Sequence, residues 1–166
     1  MARPAETDAF LRSVRLFKDI GEPELIDLRQ SLRERGLRRG QILFRQDDPG
    51  EEMFLVRRGG VLVSRLVTGR VEHVIARLGA GEFFGEMSLL ARSHRSATIQ
   101  AEIDTDLLVL DAANLQRLTD RTPRAAAAFF RAMVQVFIER LRASDEKLDE
   151  ATRWGLEATG LDVEPR

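Results

Sequence analysis

The sequence predicts an α+β protein in which a run of short antiparallel strands lies between N-terminal helices and one long C-terminal helix. Three observations predict it. From Leu37 to Leu110, short apolar runs alternate with turn signals at Asp47-Asp48-Pro49-Gly50, Arg58-Gly59-Gly60 and Thr68-Gly69-Arg70, the rhythm of an antiparallel sandwich or barrel. Ahead of them, Leu25, Leu28 and Leu32 recur at helical spacing. Behind them, Phe130, Val134, Phe137, Leu141, Ser144, Leu148 and Ala151 follow one another at steps of four and three, the seam of a helix that packs against a partner helix. A chain of 166 residues with 43% hydrophobic content suits one such domain with an appended helix.

The elements follow in order. Residues from about Asp8 to Phe17 form a short amphipathic segment, with Phe10, Leu11, Val14 and Phe17 available for burial. Gly21-Glu22-Pro23 opens a second helix, with Pro23 where a missing N–H costs nothing, and Gly36 is its expected stop. Arg33, Arg35, Arg38 and Arg39 read as a solvated helix end beside terminal carbonyls rather than as a nucleic-acid patch. Strands are expected at Ile42–Phe44, Met53–Val56, Val61–Val67, Val71–Leu78, Ser96–Ile103 and Asp106–Leu110, with hairpins at Arg58-Gly59-Gly60 and Thr68-Gly69-Arg70. Asp111 can cap a helix over Ala112–Leu118, and Thr122-Pro123 opens the long one. Within it Phe129, Met133 and Val136 form a second stripe, expected to cover the strands. The plain alternative to a paired helix is an ordinary amphipathic helix lying on its own domain. The expected organisation is a helical segment over 1–36, a strand domain over 37–122, a long helix over 123–154 with a homodimer seam in 130–151, and a flexible tail over 155–166.

Composition narrows the function classes. The net charge is −1, so the global balance favours neither nucleic acid nor an anionic membrane. There is no cysteine, hence no disulfide, thiolate zinc site or cysteine nucleophile. The N-terminus has no apolar signal core and no apolar run reaches membrane-spanning length. A cytoplasmic protein is expected.

The stretch that organises the chain is Gly79 to Ala101, residues 79–101. Gly79, Gly81 and Gly85 allow positive φ and a close approach to the main chain. Glu86 to Leu90 are good helix formers, so the N–H groups of Met87 and Ser88 converge on one small volume. Orphan donors and the helix dipole make such a turn an anion site. Arg95 can close the other side with a planar, permanently charged fork that matches phosphate oxygens.

Phe84-Gly85-Glu86-Met87-Ser88-Leu89-Leu90 followed by Arg95-Ser96-Ala97-Thr98 resembles the phosphate-binding cassette of the cyclic nucleotide-binding domain family, found in catabolite-activator-type regulators, protein kinase A regulatory subunits and cyclic-nucleotide-gated channels. The resemblance implies that the strands form an eight-stranded, jelly-roll-like β-roll over about Leu37–Leu110. It also implies a 3′,5′-cyclic nucleotide as ligand, with no other cofactor and no metal. Arg95 would then pair with the phosphate, assisted by Ser96 and the N–H groups of Met87 and Ser88, while Gly85 and Glu86 would hold the ribose. Without the resemblance, Glu86 reads equally well as favourable charge in a first helical turn. Arg92 competes for the phosphate, but the Arg-Ser-Ala run belongs to Arg95. In the catabolite-activator branch polar residues of the long helix touch the base, which points here to Ser144 and Asp145, with Thr98 a further candidate. Ser144 also reads as a register-setting polar residue in a helix seam, and Asp145 departs from the smaller hydroxyl residues usual there. Cyclic AMP is favoured over cyclic GMP.

Three functions compete. A sensor would convey ligand occupancy through its long helix to a protein partner. A catabolite-activator-type transcription regulator needs a helix-turn-helix, and the stretch after Trp154 is short and not basic. A cupin-type enzyme needs clustered metal ligands, whereas His73 and His94, the only histidines, lie on unrelated segments. The expectation is a non-enzymatic receptor without an output domain of its own.

Overall fold

Two four-stranded antiparallel sheets enclose a core to which both contribute (computed structural model, describing residues 4–67, 71–91 and 93–159). The chain forms two compact units, one ending at Phe129 and one beginning at Phe130. The first opens with α1 (Pro4–Ser13) and α2 (Glu22–Ser31). The strands are β1 (Arg33–Leu37), β2 (Ile42–Phe44), β3 (Glu52–Arg58), β4 (Gly60–Val67), β5 (Val71–Gly79), β6 (Phe83–Phe84), β7 (Thr98–Ala101) and β8 (Thr105–Asp111). A short helix α3 (Glu86–Ala91) lies between β6 and β7, and α4 (Ala112–Arg121) precedes α5 (Pro123–Thr159). One sheet has the order β1-β8-β3-β6 and the other β2-β7-β4-β5.

Strand alternation explains the layers. In β3 and β8 the register pairs Phe54 with Val109 and Val56 with Leu107 on one face, and Met53 with Leu110 and Leu55 with Leu108 on the other. The first set joins Leu37, Leu43, Val61, Phe84, Ile99 and Ala101 between the sheets. The second set is buried as well, so this sheet is covered on both faces. Leu11, Phe17, Leu25, Leu28, Leu115 and Phe129 are buried in the helical part of the unit, where Phe17 stacks on Phe129 at 5.9 Å between ring centroids. Asp111 caps α4 as its position suggested: its Oδ1 accepts from the Asn114 N–H at 2.8 Å.

Three expectations are corrected. The second helix stops at Ser31, not Gly36, and Arg33-Glu34-Arg35-Gly36-Leu37 is a strand paired with β8 from Arg33↔Val109 to Leu37↔Thr105. Its first four residues are exposed, so no apolar alternation marked it. The strand exists because β8 offers a ladder edge. Arg33 bonds to the Glu52 carboxylate and lies 3.6 Å from that of Asp111, while Arg57 of β3 bonds to Glu34 at 2.8 Å. Secondly, Phe83-Phe84 is a two-residue strand paired with Leu55 and Phe54, where a turn was expected. Thirdly, the long helix does not end at Trp154 but runs through Gly155 to Thr159. Leu156, Glu157 and Ala158 are good helix formers that outweigh one glycine, and the Thr159 hydroxyl donates to the Gly155 carbonyl at 2.8 Å. The turn expected at Thr68-Gly69-Arg70, Arg92 and the remaining tail 160–166 lie outside the described residues.

The second unit is the continuation of α5. From Leu141 to Thr159 every residue is exposed, among them Leu141, Leu148 and Trp154. Val134 and Ile138 are also largely exposed. No helix among the described residues is long and apolar enough to cross a membrane.

Candidate functional site

The site is assembled by three pieces of chain: the turn into β6, the helix α3, and the loop leading to β7. Gly79 N–H donates to the Glu82 carboxylate at 2.7 Å, and Glu82 N–H to the Gly79 carbonyl at 3.1 Å. Val56 N–H donates to the Glu82 carbonyl and Gly81 N–H to the Val56 carbonyl, both at 2.9 Å. The turn is therefore stapled to β3, with Gly81 at φ 86° supplying the left-handed residue. Gly85, at φ 78°, then reverses the chain into α3. Met87 and Ser88 lie in the first turn of that helix, where the backbone offers no intrahelical acceptor. Ser88 and Glu86 are buried and Met87 is exposed.

Arg95 is the centre of the arrangement. It is 4% exposed, the deepest arginine among the described residues. Its backbone is clamped to the loop after β2: Arg95 N–H donates to the Asp48 carbonyl at 2.9 Å and Asp47 N–H to the Arg95 carbonyl at 2.8 Å. Asp47 takes φ 68° to make this possible, a conformation Asp tolerates better than most residues. The Arg95 side chain runs into an aromatic wall. Its Cζ lies 4.2 Å from the Phe44 ring centroid and 5.5 Å from that of Phe54. The rings of Phe54 and Phe84 stack at 5.3 Å behind it. Nη1 donates to the Glu52 carbonyl at 2.7 Å and to the Gly85 carbonyl at 3.1 Å, while the buried Nε has no hydrogen-bond partner among the described residues. Burial lowers the guanidinium pKa from its ordinary value, and the carboxylates of Glu52, Asp48 and Glu86 act against that shift.

The structure thus brings Gly85, Glu86 and Arg95 to one place, with Met87 and Ser88 at the adjoining helix start. Ser96 follows Arg95 and is exposed. Thr98 is buried, and its hydroxyl accepts the Gln46 N–H at 3.0 Å, so that oxygen already has a partner. Ser144 and Asp145 are exposed residues of the second unit. Sequence reasoning missed the wall behind Arg95 and the loop that grips it. The signal was present in Asp47-Asp48-Pro49-Gly50, which was read only as a turn.

A short helix and a buried arginine inserted between two strands of an antiparallel roll define a β-roll with a candidate anion site. Comparison with known proteins makes this specific. Residues 34–122 match the cyclic nucleotide-binding domain family. The cyclic AMP receptor protein of Thermus thermophilus is 39% identical over 128 residues, 76% of this chain and 57% of that protein. A cyclic nucleotide-gated potassium channel of Rhizobium etli is 36% identical over 114 residues, 69% of this chain and 30% of the channel. Among solved structures, a cyclic nucleotide-binding domain from Methylobacillus flagellatus superposes with a TM-score of 0.79 at 26% identity, covering 89% of this chain and 83% of that one. The chain belongs to the cyclic nucleotide-binding domain family. It spans only part of these curated relatives, little more than half of the first and under a third of the second.

Proposed function

We propose that this protein is a non-enzymatic, cytoplasmic sensor that binds a 3′,5′-cyclic nucleotide, cyclic AMP in preference to cyclic GMP, and relays occupancy through α5 to a protein partner. The observation that carries the reading is the burial of Arg95 beside Gly85 at the start of α3. A permanently charged fork is rarely placed so deep without an anion to meet. In this reading Arg95 takes the phosphate oxygens, with Ser96 and the N–H groups of Met87 and Ser88 completing the cradle. Gly85 and the buried Glu86 accept the ribose hydroxyl side. Ser144, Asp145 and Thr98 are the base contacts, Thr98 through the face its bond to Gln46 leaves over. The preference for cyclic AMP is supported by the named ligand of the Thermus relative. The apolar positions Val134, Ile138, Leu141 and Leu148 on α5 support pairing of two copies through residues 130–151, and neither nucleic acid nor membrane is needed for the relay. Titration calorimetry with cyclic AMP, cyclic GMP and a cyclic dinucleotide tests the proposal. Saturable binding of cyclic AMP at micromolar concentration, weaker for the other two, is expected; no heat from any of the three refutes it.

A further inference from the structure

We propose that Gly50 is a positioning residue that sets the ligand affinity of this site, because its bare Cα forms one wall of a slot in which main-chain carbonyls hold the Arg95 guanidinium. The proposal rests on the reading of Arg95 as the phosphate ligand. A Cβ at Gly50 would overlap Arg95 Nε and Cζ and lie 2.7 Å from Nη2, so the guanidinium can occupy this place only because residue 50 has no side chain. The Phe44 ring, 4.2 Å from Cζ, forms another wall. The carbonyls of Glu52 and Gly85 close the end of the slot on Nη1.

Two properties of the slot decide what it does. It competes: a phosphate that recruits Nη1 must first take it from two carbonyl oxygens. A binding-competent state that is only partly populated weakens apparent affinity by the fraction populated. It is also poorly satisfied, since Nε is buried without a hydrogen-bond partner among the described residues and burying a guanidinium is itself unfavourable. The lowered pKa of Arg95 reflects that same burial. A small intrusion should therefore be enough to empty the slot.

Gly50→Ala is that intrusion. Gly50 is not among the glycines with positive φ, so alanine suits its backbone. What the new methyl meets is the flexible end of Arg95 rather than main chain. At Gly85 the position is different: φ is 78° and the main-chain Glu52 oxygen lies 2.9 Å from an added Cβ.

The test uses the full chain labelled with ¹⁵N-arginine. In the wild type the ring current of Phe44 should displace the Arg95 Nε–Hε resonance from the cluster of exposed arginines, and its disappearance in Arg95→Ala assigns it. In Gly50→Ala it should return to the cluster. Calorimetry should then show cyclic AMP binding about three- to tenfold more tightly, the gain that corresponds to raising a competent fraction of roughly 10–30% to near unity. In an Arg95→Ala background Gly50→Ala should change nothing. A resonance that stays displaced in Gly50→Ala, or an affinity that is unchanged or weaker, overturns the proposal. Should Gly50→Ala not fold, Phe44→Leu removes the ring wall while keeping an apolar side chain; the ring current goes with the ring, so affinity is the readout, and cyclic AMP binding that is unchanged or weaker overturns the proposal. If wild type binds no cyclic nucleotide, the functional reading fails and the affinity role of Gly50 fails with it. The resonance still reports whether Gly50 holds the arginine, which separates the two failures.

Discussion

Replacing each of three glycines by alanine separates backbone strain from steric collision at the site. Gly40, at φ 79°, has no atom within 4 Å of an added Cβ. Gly40→Ala should cost only the left-handed strain of an L-residue, about 1–2 kcal/mol. Gly85 has nearly the same φ, 78°, but its Cβ would lie 2.7 Å from Arg95 Nη1 and 2.9 Å from the Glu52 carbonyl. Gly85→Ala adds to the strain the loss of the two bonds from Nη1, each worth about 1.5–3 kcal/mol for a charged donor. Part of that loss is recovered when the guanidinium returns to water. The expected total is roughly 3 kcal/mol, or about 6–12 °C in Tm for a chain of this size. Gly155 lies inside α5 with open space around it, and Gly155→Ala should stabilise by about 0.5–1 kcal/mol. Urea denaturation followed by far-ultraviolet circular dichroism measures all three, the slope serving as a check that unfolding stays comparable. Equal losses for Gly85→Ala and Gly40→Ala would show that the collision with Arg95 and Glu52 is not real.

Other outcomes follow from the same geometry. Arg95→Ala should weaken cyclic AMP binding at least tenfold, since losing one partner of a buried charge pair typically costs about 2–5 kcal/mol; Arg92→Ala should cost far less, and equal losses by calorimetry would reject the assignment. Asp111→Ala removes the oxygen that receives the Asn114 N–H and should lower stability by about 1 kcal/mol in chemical denaturation. Leu141→Glu places a charge on an exposed seam position and should shift light-scattering mass towards the monomer; a wild type that is monomeric at every concentration would remove the basis for pairing.

The fold was legible where residues announce themselves by pattern and obscure where partners impose the structure. Val61–Val67 and the capping Asp111 could be read because an apolar run beside a Gly-Gly turn and cap chemistry are both local. Arg33–Leu37 could not, because its strand state comes from the edge of β8, over sixty residues away in sequence, and its side chains are almost all exposed. Phe83-Phe84 was hidden by its length: two residues cannot display a period. In the site, Gly85, Glu86 and Arg95 were named from the order of glycine, helix start and arginine together with its resemblance to the family's cassette. Phe44 and Gly50 were not, since nothing local ties a strand end or a turn glycine to an arginine far along the chain. The long-range Asp47–Arg95 and Asp48–Arg95 backbone bonds do so.

Those two bonds have a consequence at the other end of the cassette as well. Upstream, Phe83 and Phe84 are tied into β3; downstream, Arg95 is tied to the loop after β2. The two ends of the cassette, at Phe84 and at Arg95, are thus fixed to the same scaffold. Fixing both ends removes part of the conformational entropy of the segment between them on folding. A small molecule settling against it need not supply that ordering free energy again, and can keep more of its contact energy as affinity.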